Sequence, residues 1–129
     1  MADEAHLEVL KQGADAWNAW QAAHADAPAD LANASLRGLN LAKANLAGAD
    51  CRKADLRGTI LSGAILTNAN LAGANFFKAV LDAADLAGAN LTGAQFLNCA
   101  QLKTTRNWQL AFRDLDLACG APVPVADPR

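Results

Sequence analysis

The chain has 129 residues, of which 53% are apolar and only 5% aromatic, and its formal net charge at pH 7 is -2. This length predicts a single domain, and because the apolar residues are mostly Ala and Leu, the predicted core is narrow. A membrane span is excluded, since no stretch approaches the ~18 consecutive apolar residues that one requires.

Residues 4–24 are predicted to form one helix. Apolar residues recur there at steps of three or four, at Leu7, Leu10, Ala14, Trp17 and Trp20. Asp3 is a suitable N-cap, and Pro28 ends the helical run. We predict that residues 1–27 form an N-terminal helical cap, with both tryptophans packed on the core and with His6 and His24 in solvent.

Residues 29–98 consist of one five-residue phrase repeated fourteen times, for example at 44–48, 69–73 and 89–93. The central residue is Leu in eleven phrases, and the residue two before it is Ala in twelve. The residue between them is Asn or Asp in nine phrases, and the last residue is Gly in seven. The regularity of these four slots makes the repeat the main structural signal of the chain.

A period of five fits neither an α-helix nor an ordinary strand. If each phrase forms a short straight edge and then a corner, the central Leu and the preceding Ala point inward and the residue between them points outward. Gly in the last slot suits a corner, because several tight turns need a positive φ. The repeat therefore predicts a closed polygonal coil whose turns stack by backbone hydrogen bonds at roughly 4.8 Å.

The run of Ala-(Asp/Asn)-Leu-x-x phrases resembles the pentapeptide repeat proteins over about residues 29–103. The resemblance implies an all-β solenoid, namely a right-handed four-sided β-helix of about 3.5 to 4 coils in residues 28–103, with short helical caps at both ends. Residues 17–20 and 107–112 are also similar to the leader and closing segments of some members.

With four phrases per coil, residues twenty apart stack on one face. Ile60 and Val80 then lie in adjacent coils, in the outward slot that Asn or Asp usually fills, and Ile65 lies around the corner. These three residues are the first candidate partner surface. Phe77 and Leu97, stacked on the neighbouring face, are the second. The alternative for the first surface is that β-branched residues simply favour a strand edge.

The register of the repeat fails near its end. After Phe96, which is predicted to be a core centre, the phrase resumes one residue late, which predicts a bulge at 98–100. Thr105 is then predicted to cap a short helix carrying Trp108, Ala111, Phe112 and Leu115. We assign residues 104–118 to a C-terminal cap and residues 119–129 to a flexible tail.

The chain has three cysteines, an odd number without metal-ligand spacing, which favours a reducing compartment. Cys51 and Cys99 are predicted to lie in the core, and Cys119 is predicted to be an accessible thiol. Since the N-terminus has neither a basic region nor a long apolar run, we expect no signal peptide and a cytoplasmic location.

No catalytic constellation is present in the coil, which contains no His and no Glu, and whose hydroxyl groups have no base to activate them. Asp30 and Asp50 stack as like charges, which can raise one pKa. We expect no enzyme activity, no cofactor, no small-molecule substrate and no membrane association. The predicted function is a non-enzymatic interaction or scaffold module with an unknown protein partner, either a monomer or a cap-mediated homodimer.

Two alternatives remain open. The resemblance raises a DNA mimic that acts on DNA gyrase, but residues 29–103 carry five Asp against seven Lys and Arg, so the phosphate-like field is lacking. Direct nucleic-acid binding is disfavoured, because the basic residues form only a weak patch. The second alternative is a redox-responsive module that works through the cysteines.

Overall fold

A computed structural model describes residues 2–124 of the chain. Helix α1 spans Glu4–Leu10 and helix α2 spans Ala14–Ala23, and the repeat region follows as a coil. Helix α3 spans Cys99–Leu102, and two 3-10 helices span Trp108–Leu110 and Leu115–Leu117. Among these described elements, no helix has the length and hydropathy needed to cross a membrane.

As far as Gln95, the coil is held together by single-residue parallel bridges between positions twenty apart. Asp30 bridges to Asp50, Asp50 to Asn70, and Asn70 to Asn90, and the same offset recurs from Ser35, Asn40 and Asn45. At each bridge the outward residue bonds twice to the coil before it: the Asp50 N–H donates to Ala29 O at 2.8 Å, and Asp50 O accepts from the Leu31 N–H at 2.8 Å. Each turn therefore takes twenty residues and makes four bridges. We number its faces one to four, from Asp30, Ser35, Asn40 and Asn45.

Leucine and alanine fill the interior of the coil, as the repeat predicts. The central residues Leu46, Leu56, Leu66 and Leu86 are all 1–2% exposed. Thr59 is also fully buried, in a slot that usually holds Ala, and its hydroxyl donates to Leu36 O at 2.7 Å. Because that hydroxyl is satisfied, the core accepts a polar residue there without an unpaired group.

The Asn or Asp in the outward slot stabilises the turn that follows it. Its Oδ1 accepts a hydrogen bond from the backbone N–H two residues later, at 3.2 Å for Asn45, 3.1 Å for Asp85 and 3.0 Å for Asn90. This is the Asx-turn arrangement, which Asn and Asp are suited to form. Asn and Asp are thus preferred in the outward slot for two reasons: they are exposed to solvent there, and they stabilise the turn.

The last slot of most phrases adopts a positive φ. Gly48 has φ 69°, and Ala83, in the equivalent slot, has φ 61°. A residue with a Cβ is disfavoured in this left-handed region. Ala83 is therefore a strained corner of the coil.

The N-terminal cap consists of two helices and not of the single helix predicted for residues 4–24. Helix α1 ends at Leu10, and Gly13, with φ 107°, precedes α2. A backbone of that kind is readily adopted only by glycine, so the chain can turn there and fold α2 back on α1. Trp17 is fully buried, and Trp20 packs on it with ring centroids 5.1 Å apart, which agrees with the predicted packing of both tryptophans.

Side chains of this cap bond to the exposed edge of the first coil. The Trp17 Nε1–H donates to Asn45 O at 2.8 Å, and Asn18 Oδ1 accepts from the Asn45 N–H at 2.7 Å. On the first face, His6 Nδ1 accepts from the Asp30 N–H at 2.9 Å, and the Asp3 N–H donates to Asp30 O at 3.0 Å. The prediction that His6 is solvated is wrong, because the ring is buried and caps a backbone amide.

On the third face of the last coil, helix α3 stands where a bulge was predicted. The coil continues beyond it, since Asp85 bridges to Arg106 and Asn90 to Phe112, at offsets of 21 and 22 residues. Gln95 is still in register, since the Phe76 N–H donates to its carbonyl oxygen at 2.9 Å. Asn98 then caps α3: its side chain accepts from the Gln101 N–H at 2.8 Å, and Gln101 Oε1 accepts from the Asn98 N–H at 3.1 Å. This reciprocal capping box satisfies two backbone groups and starts the helix.

The C-terminal cap lacks the predicted helix beginning at Thr105. The chain there forms the two 3-10 helices, and Leu115 is 84% exposed and not packed inward. The buried guanidinium of Arg113 holds the segment together by donating to the carbonyl oxygens of Leu117, Ala118 and Pro122 at 2.8 to 2.9 Å. The start of the predicted flexible tail is therefore tied to the cap, and residues 125–129 lie outside the described residues.

Candidate functional site

The first candidate surface lies on the third and fourth faces. Ile60 and Val80 form a parallel bridge in adjacent coils, so their side chains stack outward as one column. Ile65 is one phrase further along, on the fourth face, and is exposed, as is Val80. The structure thus brings Ile60 and Val80 together and places Ile65 around the corner, where the repeat predicts it.

The second candidate surface is composed differently from the prediction. Phe77 is exposed, but Leu97 is only 9% exposed and belongs to the core. Phe96, predicted to be a core centre, is 65% exposed and meets Phe77 edge to face at 5.4 Å between ring centroids. Phe96 adopts φ 57°, so the chain turns there and Leu97 takes the inward position. The exposed pair is therefore Phe77 with Phe96.

Arginine side chains neutralise two of the outward carboxylates. Arg52 donates to both oxygens of Asp50 at 2.9 and 2.8 Å, and Arg57 donates to both oxygens of Asp55 at 2.8 and 2.7 Å. These hydrogen bonds lower the pKa of the Asp50 and Asp55 carboxyl groups below the usual value. The raised pKa considered for the Asp30 and Asp50 stack is not found at Asp50.

The structure confirms one of the three predictions for the cysteines and corrects two. Cys51 lies in the core, as predicted, and burial raises the pKa of its thiol to about 12, so the thiolate is scarce at neutral pH. Cys99 and Cys119 form a disulfide across twenty residues, so Cys119 is not the expected accessible thiol. Cys99, predicted to lie in the core, is only partly buried. Disulfides persist mainly in oxidising compartments. The cysteines therefore no longer support the expected reducing compartment.

Two observations within residues 2–124 concern metal and ligand binding. No group of three or more His, Cys, Asp or Glu side chains within that range is placed to hold a metal ion. A cavity of about 270 Å³ lies between α2 and the fourth face, and Asn18 and Gln21 line it from the helix. Asn18 already uses its amide to bond the coil. We assign this cavity no ligand.

Comparison with known proteins identifies the repeat. A family model described as pentapeptide repeats matches residues 29–63 and 64–99, with eight copies. Among solved structures, HetL of the cyanobacterium Nostoc sp. strain PCC 7120, a pentapeptide repeat protein involved in heterocyst differentiation regulation, is 36% identical over 62% of this chain and 35% of its own, with a TM-score of 0.54. The chain thus spans about a third of the length of HetL.

A second similar structure is a pentapeptide repeat protein of the Arabidopsis thaliana thylakoid lumen. It is 26% identical over 76% of this chain and 69% of its own, with a TM-score of 0.46. The search of curated proteins gives no match.

Proposed function

The chain belongs to the pentapeptide repeat family, and from that premise we propose that it is a non-enzymatic protein-interaction module built on a right-handed four-sided β-helix. Such a coil offers a rigid surface on which side chains recur at fixed positions. The proposed partner is another protein, and the proposed oligomeric state is a monomer or a cap-mediated homodimer. The cytoplasmic location stays a prediction from the N-terminal sequence, and the Cys99–Cys119 disulfide favours an oxidising compartment instead.

One observation carries the proposal: the Ile60 and Val80 side chains stack outward in a slot that, apart from these two and Ile65, holds polar residues. Ile60 is half-buried, Val80 and nearby Ile65 are exposed, and all three are β-branched, so they lose little side-chain entropy when a partner covers them. Apolar side chains grouped in this way favour a protein contact over solvent. The exposed pair of Phe77 and Phe96 supports a protein contact on the second face as well.

The experiment compares affinity capture and sedimentation for the wild type and for the Ile60→Asn/Val80→Asn variant. Asn is the residue most often found in this slot, so the variant should fold, as circular dichroism would verify. We expect the captured partner to be lost. A matched control, Ser62→Asn/Thr67→Asn, alters neighbouring turns without removing apolar surface and should retain the partner. Identical captured proteins and sedimentation for all three would contradict the proposal.

A DNA mimic acting on DNA gyrase is the alternative, and the pairing of Asp50 with Arg52 and of Asp55 with Arg57 argues against it. A mimic needs carboxylates that are free to stand in for phosphates, whereas these two are neutralised locally. A supercoiling assay with and without a quinolone tests the alternative. We expect no effect at high protein concentration, and inhibition or protection would favour the mimic instead.

A further inference from the structure

Within residues 2–124 no coil precedes the first one, so its N-terminal edge is not hydrogen-bonded to another coil. From the second coil onward, each outward residue bonds back to the coil before it: the Asp55 N–H donates to Ala34 O at 2.9 Å, and Asp55 O accepts from the Leu36 N–H at 2.9 Å. Ile60 bonds to Leu39 and Leu41 in the same way, at 2.9 and 2.7 Å. The corresponding groups of the first coil point away from the stack, towards the N-terminal end.

On two of the four faces, the N-terminal cap supplies the hydrogen-bond partners that a preceding coil would otherwise provide. On face one, His6 and the backbone of Asp3 bond to Asp30, and on face four, Trp17 and Asn18 bond to Asn45. On faces two and three, the N–H and C=O groups of Ser35 and Asn40 make no hydrogen bond to any residue in the range 2–124. Both residues are exposed. We call these two positions the open edge.

Two cations flank the open edge. Arg37 follows Ser35, its side chain is 59% exposed, and its Nε lies 3.8 Å from an Asp55 oxygen that Arg57 already contacts at 2.7 Å. Lys43 follows Asn40 and is exposed, and it forms no ion pair with the described part of the chain. The open edge therefore combines unpaired backbone groups with an arginine that shares the single Asp55 carboxylate with Arg57 and with a lysine that has no ion-pair partner among the described residues.

We propose that the open edge binds an extended acidic peptide segment of a partner protein as an additional strand. Unpaired backbone donors and acceptors at a strand edge specify a peptide main chain, which is how β-augmentation works. The added strand would lie about 4.8 Å from Ser35. An acidic side chain in its outward slot would then be within reach of the Arg37 guanidinium. This surface is at the end of the coil, so the proposal is independent of the one for Ile60 and Val80.

The coil itself defines the geometry of the added strand. In the pattern used between coils, an inward leucine of the peptide donates its N–H to Ser35 O, and the alanine two before it accepts from the Ser35 N–H. Five residues later the same pair of bonds would form at Asn40. A suitable probe is therefore a ten-residue peptide with two phrases, Ala-Asp-Leu-Ala-Gly-Ala-Asp-Leu-Ser-Gly, with both ends blocked.

The experiment measures amide hydrogen exchange and NMR shifts of the whole protein with this peptide. We expect exchange of the Ser35 and Asn40 amides to slow about tenfold at saturation, because hydrogen bonding protects an amide from exchange. A peptide N-methylated at both leucines lacks the two donors and should not bind. A peptide with Asn in place of both Asp residues should bind about fivefold more weakly, the scale of exposed ion pairs.

Protein variants provide the matched comparison. Arg37→Glu should weaken binding of the acidic peptide by about fivefold or more, whereas Lys103→Glu, the same charge change at the other end of the coil, should not. Three results would overturn the proposal: unchanged Ser35 and Asn40 amides at millimolar peptide, equal binding of the N-methylated peptide, or equal binding of the acidic and amide peptides. Protection that appears without peptide and grows with protein concentration would assign the edge to a second copy of the chain, and would also overturn it.

Discussion

The indole N–H of Trp17 donates to the backbone oxygen of Asn45 at 2.8 Å, so one side chain of the cap occupies the place that a preceding coil would fill. Trp17→Phe keeps an aromatic ring in the buried site and removes this donor. We expect the free energy of unfolding to fall by about 1 kcal/mol, the net contribution of one hydrogen bond, because the Asn45 oxygen is only partly buried. Urea denaturation measures it.

Trp20→Phe is the control for that measurement. Trp20 is only partly buried, and its indole nitrogen makes no hydrogen bond within residues 2–124. The control should lose less stability than Trp17→Phe. Equal losses for the two variants would show that packing, and not the bond to Asn45, determines how the cap holds the coil.

Ala83→Gly should stabilise the protein. Ala83 is held at φ 61°, where a Cβ is strained and Gly is not. Relief of that strain, less the extra chain entropy of Gly, should raise the free energy of unfolding by about 0.5–1 kcal/mol. Ala87→Gly, one phrase later in a slot with no positive φ, should lower it instead. Thermal denaturation of both variants measures these changes. A lower stability of Ala83→Gly would contradict the claim that the backbone is strained at Ala83.

Thiol titration should separate the three cysteines. In the folded protein no thiol should react, because Cys51 is buried and the other two are bonded to each other. Denaturant alone should expose Cys51, and denaturant after reduction should expose all three. Reduction should lower the free energy of unfolding by about 3 kcal/mol, the entropy model's value for a loop of this length. Rapid labelling of the native, unreduced protein would contradict the pairing.

Acid should weaken the coil through Asp50 and Asp55. Their folded-state pKa values lie below the ordinary value of 3.8, chiefly because Arg52 and Arg57 donate to them. A group whose pKa is lowered on folding stabilises the protein above its unfolded pKa, and the contribution is lost as the pH falls through the folded value. Stability should therefore decline below about pH 3.8.

Urea denaturation at pH 7 and pH 3, in low and high salt, measures this contribution. Asp50→Asn/Asp55→Asn keeps an acceptor for the turn amide but cannot titrate, so its stability should depend less on pH in this window. Because both carboxylates are partly exposed, salt should shrink the difference between variant and wild type. An equal acid sensitivity of the two proteins would assign the effect to other groups.

The interior of the coil is predictable because every phrase repeats the same five-residue pattern. Inward Leu and Ala, outward Asn or Asp, and a positive φ in the last slot all follow from five residues and their neighbours. The column of Ile60 and Val80 is predictable for the same reason, once the number of phrases per turn is known.

The ends of the coil are much less predictable, because their contacts join residues that are far apart in sequence. Nothing local shows that His6 bonds to Asp30 or that Cys99 pairs with Cys119. Phe96 and Leu97 are both apolar, so the sequence does not say which one turns inward. A signal for helix α3 was available, however, since Asn98 followed three residues later by Gln101 is a capping-box pattern.

The twenty-residue offset between bridged positions also constrains how a gene of this kind can lengthen or shorten. Duplicating four consecutive phrases adds one full turn and leaves every later residue above its original column. Deleting one phrase between Ile60 and Val80 instead rotates everything downstream by a quarter turn, which moves Val80 onto the column of Asp55. Inward leucines stay inward in both cases. A single insertion or deletion of whole phrases can therefore change which outward residues stack in one column, while the inward residues stay in the core.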